Sequence, residues 1–276
     1  MIPIRDNIPS RTFPIVNYAL IGICSIVFLA QISSGEGEQT IIEKFGMIPA
    51  RVTHPNQPVR VREIVPIETP RGIEAVERLH DAAEGPIPAW LTLLTCIFLH
   101  GGWMHILGNM WFLHIFGDNV EDRLGHFGYL VFYLASGVAA SLVHLASGPD
   151  STLPTVGASG AIAGVMGGYF VLYPHARVLA VIPIVIFLQI LVLPAPLFLG
   201  IWFLLQFWQG TFSVNGMEAG GVAWWAHIGG FVVGVVLVFL ARALGLASPP
   251  VEQRLPNTEP PFNAYRYQRN WNDHVG

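Results

Sequence analysis

Residues 157–168 read GASGAIAGVMGG, and residues 226–234 read AHIGGFVVG. Both segments carry a small residue at every fourth position, namely Gly160, Gly164 and Gly168 in the first and Ala226, Gly230 and Gly234 in the second. In apolar helices such a ladder lets two backbones approach closely. We therefore expect two helices that pack against each other along these small residues.

The rest of the sequence has the composition of a membrane protein. Of its 276 residues, 53% are hydrophobic and 12% are charged, and the mean hydropathy is +0.53. About 20 helical residues cross the hydrocarbon core of a bilayer. Apolar stretches of roughly this length recur at 14–32, 103–117, 127–147, 158–173 and 223–243. Several membrane spans are therefore expected, with the lipid bilayer as the protein's surroundings.

The composition gives little indication of other partners or of cofactors. The formal net charge is −4 and no block of like charge indicates a nucleic-acid partner. Cys24 and Cys96 lie in or beside apolar runs and form neither a disulfide framework nor a metal motif. We expect both cysteines to be small packing residues.

The first apolar stretch follows a short segment that contains Arg5 and Arg11, as the start of a secretory signal peptide would. No small-residue cleavage site follows cleanly, and further apolar spans continue along the chain. We interpret this stretch as a signal anchor that stays in the membrane.

The stretch 178–209 is harder to interpret, because Pro183, Pro194 and Pro196 interrupt it. It could hold two short spans, or one interfacial segment followed by one span near 195–210. Charge favours the second interpretation. Outside 33–88 the basic residues are Arg5, Arg11, Arg123, Arg177, Arg242, Arg254, Arg266 and Arg269. If 178–209 crosses once, all of them lie on the cytoplasmic side, as the positive-inside rule predicts.

The predicted fold class is an all-α polytopic membrane protein with six transmembrane helices and both termini cytoplasmic. Residues 1–12 form a short N-terminus, 13–247 the membrane domain and 248–276 a flexible, proline-rich tail. A long outer loop, about 33–102, joins the first two helices. The apolar end of this loop, 88–98, is expected to lie in the membrane interface, anchored by Trp90. The short tails and minimal core favour a prokaryotic plasma membrane.

Ser159 and His227 are the residues most suited to catalysis. With six spans, Ser159 begins the fourth helix and His227 lies one turn into the sixth, so both lie at one depth near the outer face. Close helix approach would permit a serine-to-histidine hydrogen bond of about 3 Å, and an imidazole can take the proton of an attacking hydroxyl. Purely structural roles, as a helix-packing serine and histidine, remain the alternative. Between Arg123 and Val222 the acidic residues are Asp150 and Glu218, neither placed behind His227, so a dyad is the simpler hypothesis.

The second predicted helix carries further polar side chains. His105 and Asn109 lie four residues apart on one face, where their donors could bind an oxyanion. Hydrogen bonding between helices is the alternative role. His100 and His105 are five residues apart and point to different faces, and no cysteine or carboxylate completes a metal site. We expect neither a metal nor an organic cofactor.

In combination these motifs resemble the rhomboid family of intramembrane serine proteases over about 90–240. The resemblance rests on GASG at 157–160, AHIG at 226–229, and the spacing of His100, His105 and Asn109. It implies a catalytic dyad of Ser159 and His227, and an oxyanion hole formed by His105, Asn109 and the backbone N–H of Ser159. Structural roles are implied for His100, Gly157, Gly160, Glu121, Arg123 and Gly230, with Glu121 and Arg123 resembling a Glu-x-Arg pair that stabilises the inner end of the second helix.

The resemblance also implies how a substrate would reach the site. Single-span membrane proteins would enter past the fifth helix, under a mobile cap at about 210–222. A cleavable segment should contain helix-weakening residues and a small residue before the cut.

Three positions depart from patterns found in the family. Leu91 follows Trp90 where many members have arginine, Ala163 replaces an aromatic that stacks on the catalytic histidine, and Gly108 replaces a bulky side chain near the substrate path. Two other functions remain open: a non-catalytic member that binds transmembrane helices, and a small transporter with a polar outer cavity. The sequence carries no signal for an oligomeric state.

Overall fold

The computed structural model describes residues 1–69, 72–184, 187–213 and 223–248. Six helical segments of the described chain carry most of its apolar residues. They are α1 (Ile15–Ser33), the two halves of α5 (Trp103–Ser147), α6 (Ser159–Leu172), α7 (Ala195–Ser213) and α8 (Trp224–Ala243). Of the predicted cap, residues 210–213 end α7 and 214–222 lie outside the described residues. The predicted flexible tail also lies outside them, apart from Ser248.

Helix α5 is two helices joined at Gly125. This glycine has φ 70° and ψ 164°, in a region that other residues rarely adopt, and the chain changes direction there. The first half therefore runs on to residue 124, beyond the end at 117 that hydropathy predicts. By length and composition, α1, α5 and α8 can cross a membrane, whereas the apolar parts of α6 and α7 are shorter. The number of spans stays a prediction.

The small-residue ladders bring the backbones of α6 and α8 into direct contact. A Cβ atom added to Gly234 would lie 2.0 Å from the carbonyl oxygen of Gly164, and one added to Gly230 would lie 2.0 Å from that of Gly160. No side chain fits between the helices at these points. The ladders predict this close approach, and the structure confirms it. The second half of α5 packs on the same two helices, where Ser136 lies against Gly164.

The prediction of an all-α fold is wrong at the end of the bundle opposite Ser159. Strands β4 (Arg177–Ile184) and β5 (Phe187–Pro194) form an antiparallel hairpin, and β1 (Ile2–Asp6) pairs antiparallel with β4. The stretch before α7 is thus not a transmembrane helix, and its position in the membrane interface stays a prediction. Its many Val, Ile and Leu residues favour a pleated surface, and Pro183 prevents a continuous helix.

The segment predicted to be a long outer loop is structured. It contains α2 (Glu38–Phe45), α3 (Pro49–Thr53) and the hairpin of β2 (Arg60–Thr69) and β3 (Gly72–Asp81). A short helical segment, Ala89–Phe98, follows, and its central turn is α4 (Thr92–Thr95). The buried carboxylate of Glu43 accepts hydrogen bonds from His80 Nε2 and from the backbone N–H of Ala83, both at 2.8 Å. These bonds hold the end of the β2–β3 hairpin against α2. Trp90 is 63% exposed, as an interfacial anchor would be.

At the other end of the bundle, the carboxylate of Asp6 ties β1 to the helices. It accepts hydrogen bonds from the Tyr169 hydroxyl and from the Asn119 side-chain amide, the latter at 2.9 Å. Burial raises the pKa of Asp6 from 3.8 to about 6, although the bond from Tyr169 opposes this rise. Folding therefore makes the acid harder to ionise than it is in the unfolded chain.

Asp6 should make stability depend on pH. A carboxyl whose pKa is raised on folding stabilises the fold fully below its unfolded pKa, near 4, and this contribution is lost as pH rises through about 6. Relative to Asp6→Asn, the wild-type protein should lose about 2 kcal/mol between pH 4 and pH 7. Thermal unfolding in detergent at pH 4, 5, 6 and 7 measures this difference. Glu84→Gln, at an exposed side chain, is the control, and a difference for Asp6→Asn that does not change with pH would contradict the expectation.

Candidate active site

Ser159 and His227 meet at one end of the bundle. Ser159 is the first residue of α6, His227 lies one turn into α8, and the serine Oγ is 2.7 Å from the histidine Nε2. The contact follows from the backbone contact between the two helices, because Gly160 and Gly230 bring their first turns together. The structure thus joins two side chains that lie 68 residues apart in sequence.

The other ring nitrogen of His227 contacts a residue that sequence reasoning missed. Its Nδ1 lies 2.6 Å from Oε1 of Gln206, which is on α7. An amide oxygen only accepts, so Nδ1 carries the proton and Nε2 presents its lone pair to the serine hydroxyl. Gln206 is buried within the apolar stretch 195–209. A polar side chain in such a stretch is itself an indication of function, so Gln206 could have been identified from the sequence.

Two tryptophans flank His227. The ring centroid of Trp202 lies 6.0 Å from that of the histidine with the planes tilted by 36°, and Trp224 lies 6.0 Å away at 89°. Both rings lie beside the imidazole, whereas position 163 is an alanine and offers it no aromatic ring. Gln206, Trp202 and Trp224 are therefore the groups that orient His227.

His105 and Asn109 offer hydrogen-bond donors close to the serine. His105 Nδ1 accepts a hydrogen bond from the backbone N–H of Gly101 at 3.3 Å, so in the neutral ring the proton is on Nε2. That Nε2 reaches the loop before Ser159, since a Cβ on Gly157, whose φ is 131°, would lie only 2.7 Å from it. Asn109 is 8% exposed, and its Nδ2 has no hydrogen-bond partner in the described part of the chain.

These side chains share one cavity of about 790 Å³. Its walls come from several elements: Ser159, Ile162 and Met166 of α6, His105, Gly108, Asn109 and Phe112 of α5, Trp202 and Gln206 of α7, Trp224 and His227 of α8, and Gln39 and Ile42 of α2. Nothing lies within 4 Å of a Cβ built on Gly108, so this glycine leaves the cavity open. The outer loop takes part in the site because α2 forms one wall.

His100 lies behind the cavity. Its backbone N–H donates to Gln31 Oε1 and its carbonyl accepts from Gln31 Nε2, both at 3.1 Å, which fastens the start of α5 to α1. Its buried ring meets that of His105 edge-on at 5.3 Å. These contacts fit a supporting position. Among the described residues no group of three His, Cys, Asp or Glu side chains could hold a metal ion.

Glu121 and Arg123 lie at the opposite end of the bundle and bind different helices. The carboxylate of Glu121 accepts the backbone N–H groups of Val16 and Asn17 at 3.0 and 2.7 Å, and so caps the start of α1. Arg123 donates to the carbonyl of Leu172, the last residue of α6, and to that of Ser248, in the segment after α8. Each joins the middle of α5 to a neighbouring helix, and the two do not form an ion pair with each other.

These observations define an integral membrane protein whose helical bundle holds a serine hydrogen-bonded to a histidine in a shared cavity. The chain belongs to the rhomboid family, because the family model for the Rhomboid domain matches residues 88–244, more than half of it. The family resemblance drawn from the motifs is confirmed.

Individual relatives agree with this assignment. Rhomboid-like protein 11, chloroplastic, of Arabidopsis thaliana is 32% identical over 186 residues, covering 64% of this chain and 60% of the relative. Rhomboid protease GluP of Bacillus subtilis is 33% identical over 159 residues, covering 57% and 26%. Rhomboid protein 1, mitochondrial, of Saccharomyces cerevisiae is 29% identical over 151 residues, covering 53% and 40%. The matched part of this chain thus spans less than two thirds of each relative's length.

Proposed function

We propose that this protein is an intramembrane serine endopeptidase with Ser159 as nucleophile and His227 as general base. The carrying observation is the 2.7 Å contact between Ser159 Oγ and His227 Nε2, in a cavity that also holds Asn109 Nδ2, a hydrogen-bond donor without a partner among the described residues. The printed name of the relative Rhomboid protease GluP supports the same activity. The chemistry needs neither a metal nor an organic cofactor.

In the first half of the reaction, Ser159 Oγ attacks the carbonyl carbon of a peptide bond while its proton passes to His227 Nε2. Gln206 holds Nδ1–H throughout, so the imidazolium formed at this step is hydrogen-bonded on both sides. The negative oxygen of the tetrahedral intermediate would be bound by His105 Nε2–H, Asn109 Nδ2 and the backbone N–H of Ser159. That backbone N–H is free for this role because the first residues of a helix lack helical acceptors.

In the second half, His227 gives its proton to the leaving amine, and the new amino terminus departs from the acyl-enzyme. Water then loses a proton to His227 as it attacks the ester, and that proton returns to Ser159 Oγ when the carboxyl product leaves. The dyad ends each cycle in its starting state.

The substrate class follows from the surroundings of the site. A transmembrane helix hides its carbonyls in backbone hydrogen bonds, so a cleavable segment must unwind locally at helix-weakening residues. Single-span membrane proteins are the proposed substrates, entering past α7, which exposes Leu197, Leu204 and Trp208 on its outer surface. We place the site near the outer face of a six-span protein, with both termini cytoplasmic in a prokaryotic plasma membrane.

A fluorophosphonate probe tests the nucleophile directly. Purified protein in detergent should be labelled covalently, Ser159→Ala should not be labelled, and His227→Ala should be labelled far more slowly. A non-catalytic helix-binding member of the family, or a transporter, would show no Ser159-dependent labelling. Unlabelled wild-type protein, under conditions where a reference serine hydrolase reacts, would rule out the proposed activity.

Gln206 provides a second prediction. Gln206→Leu should lower kcat for a transmembrane substrate about 10- to 100-fold with little change in KM, because leaving the buried Nδ1–H unpaired costs about 1–3 kcal/mol. Gln206→Glu restores an acceptor and should recover activity with an altered pH profile. Gln209→Leu, at an exposed position on the same helix, is the matched control. Equal kcat values for Gln206→Leu and Gln209→Leu would contradict the role of Gln206.

A further inference from the structure

A second cavity, of about 460 Å³, lies at the end of the bundle opposite Ser159. It is bounded by the segment after β1, by the middle of α5, by the end of α6 and the turn that follows it, and by the last turn of α8. Leu172 ends α6 here and Arg242 lies in the last turn of α8, whereas Ser159 and His227 lie at the starts of these helices. The cavity is therefore separate from the proposed active site.

The cavity carries an excess of positive charge. Arg11, Arg123 and Arg242 line it, together with a single carboxylate, Asp122. Arg11 Nε lies 2.6 Å from Asp122 Oδ2, so this pair is neutral as a unit. Among the described residues, no carboxylate lies within 4 Å of the guanidinium of Arg123 or Arg242. Within the described part of the chain, two positive charges without a carboxylate partner thus line the same cavity.

Arg123 is buried in an unusual way for a charged side chain. It is 3% exposed, and its described hydrogen bonds go to neutral carbonyls, Ser248 O at 2.7 Å and Leu172 O at 3.3 Å. The guanidinium carbon also lies 5.5 Å above the ring of Tyr173. Carbonyls and a ring orient a guanidinium without neutralising it, and a buried charge without a counter-ion is costly. An anion in the cavity would supply the missing charge.

The remaining walls indicate which anion fits. Ile8, Pro9, Val171 and Pro174 give the cavity an apolar side next to the arginines. A free phosphate ion would leave this side unused, whereas a phospholipid has a phosphate and an adjoining acyl chain. Basic pockets between helices at the cytoplasmic end of a membrane protein are suited to anionic head groups.

We propose that this cavity binds the phosphate of an anionic phospholipid, with Arg123 and Arg242 contacting the phosphate and the apolar wall contacting the first part of an acyl chain. The site joins the ends of α6 and α8, which carry Ser159 and His227 at their other ends, so its occupant would hold the two helices together. It does not depend on proteolytic activity, and its test is a binding measurement.

The experiment uses the full-length protein in a neutral detergent, titrated with dihexanoyl phosphatidylglycerol, dihexanoyl phosphatidylcholine or inorganic phosphate, with thermal unfolding as the readout. Phosphatidylglycerol should raise the unfolding temperature and bind more tightly than phosphatidylcholine. Arg242→Gln should weaken this binding about fivefold, since one basic side chain near an anionic lipid has roughly that effect. Arg242 is exposed, so the variant should fold.

Arg177→Gln is the matched control, because Arg177 is an exposed arginine at the same end of the bundle that does not line the cavity. Equal stabilisation by inorganic phosphate, lost in Arg242→Gln, would support the phosphate site and assign it to a free ion. Stabilisation by phosphatidylglycerol alone assigns it to lipid. Binding that is unchanged in Arg242→Gln, or weakened equally in Arg177→Gln, would overturn the proposal.

Discussion

Ser159→Ala is expected to lower the turnover of a transmembrane substrate by about 10⁶-fold, and adding His227→Ala should lower it no further. The reason is the shared proton. His227 Nε2 acts as a base only when it accepts the proton of the serine hydroxyl, which lies 2.7 Å away. Without the hydroxyl there is no proton to transfer, so removing His227 should not lower the rate further. The two single variants and the double variant should therefore be about equally inactive.

Single-turnover cleavage of a single-span substrate in proteoliposomes measures this non-additivity. Ser25→Ala is a suitable control, because the Ser25 hydroxyl donates to the Ile21 carbonyl within α1 and lies outside the active-site cavity. That variant should cleave at the wild-type rate. A Ser159→Ala protein that retains a substantial rate, or single losses that multiply in the double variant, would show that the pair does not act as one catalytic unit.

Gly234→Ala is expected to destabilise the protein by about 1–3 kcal/mol or more, through overpacking. In a helix exposed to its surroundings the same change is favourable by about 1 kcal/mol, because alanine restricts the unfolded chain more than glycine does. Here the added Cβ would lie 2.0 Å from the Gly164 carbonyl oxygen, so α6 and α8 must separate. Activity should fall with stability, because Ser159 and His227 begin these same two helices.

Gly22→Ala is the matched control, since Gly22 is inside α1 and a Cβ there meets no atom within 4 Å. Thermal unfolding in detergent should give an unchanged or higher midpoint for Gly22→Ala and a lower one for Gly234→Ala. Gly234→Leu should lower it further, because a longer side chain needs more separation. Similar midpoints for the two alanine variants would contradict direct backbone contact between α6 and α8.

Several features of the fold could be predicted from sequence, because they depend on local pattern. Hydropathy located the helices that include Ser159 and His227, and the ladder at Gly160 and Gly164 identified the face of close contact. Elsewhere local pattern misled the prediction. Residues 178–184 and 187–193 are as apolar as a span, but they form strands that pair with each other and, through 178–181, with residues 2–6, which are far away in sequence.

Prediction of the site was also incomplete. Ser159, His105 and Asn109 were identified from their motifs, and all of them line the cavity. Gln206 was not predicted because it belongs to no motif, and because a catalytic triad leads one to expect a carboxylate, not an amide, behind His227. Glu121 and Arg123 were expected to act together on one helix end, yet each binds a different helix. The spacing of two residues along α5 does not determine which groups of the neighbouring helices lie beside them.

The sequence by itself determined that the chain belongs in a membrane, where its main helices lie, and which serine and histidine could react. Those properties follow from side-chain chemistry and short repeats. Only the tertiary structure decided how His227 is oriented, through the 2.6 Å contact of its Nδ1 with Gln206, and which nitrogen of His105 bears the proton, through the N–H of Gly101. A hydrogen bond depends on distances of a few tenths of an ångström between separate elements, and these are set only when the helices pack.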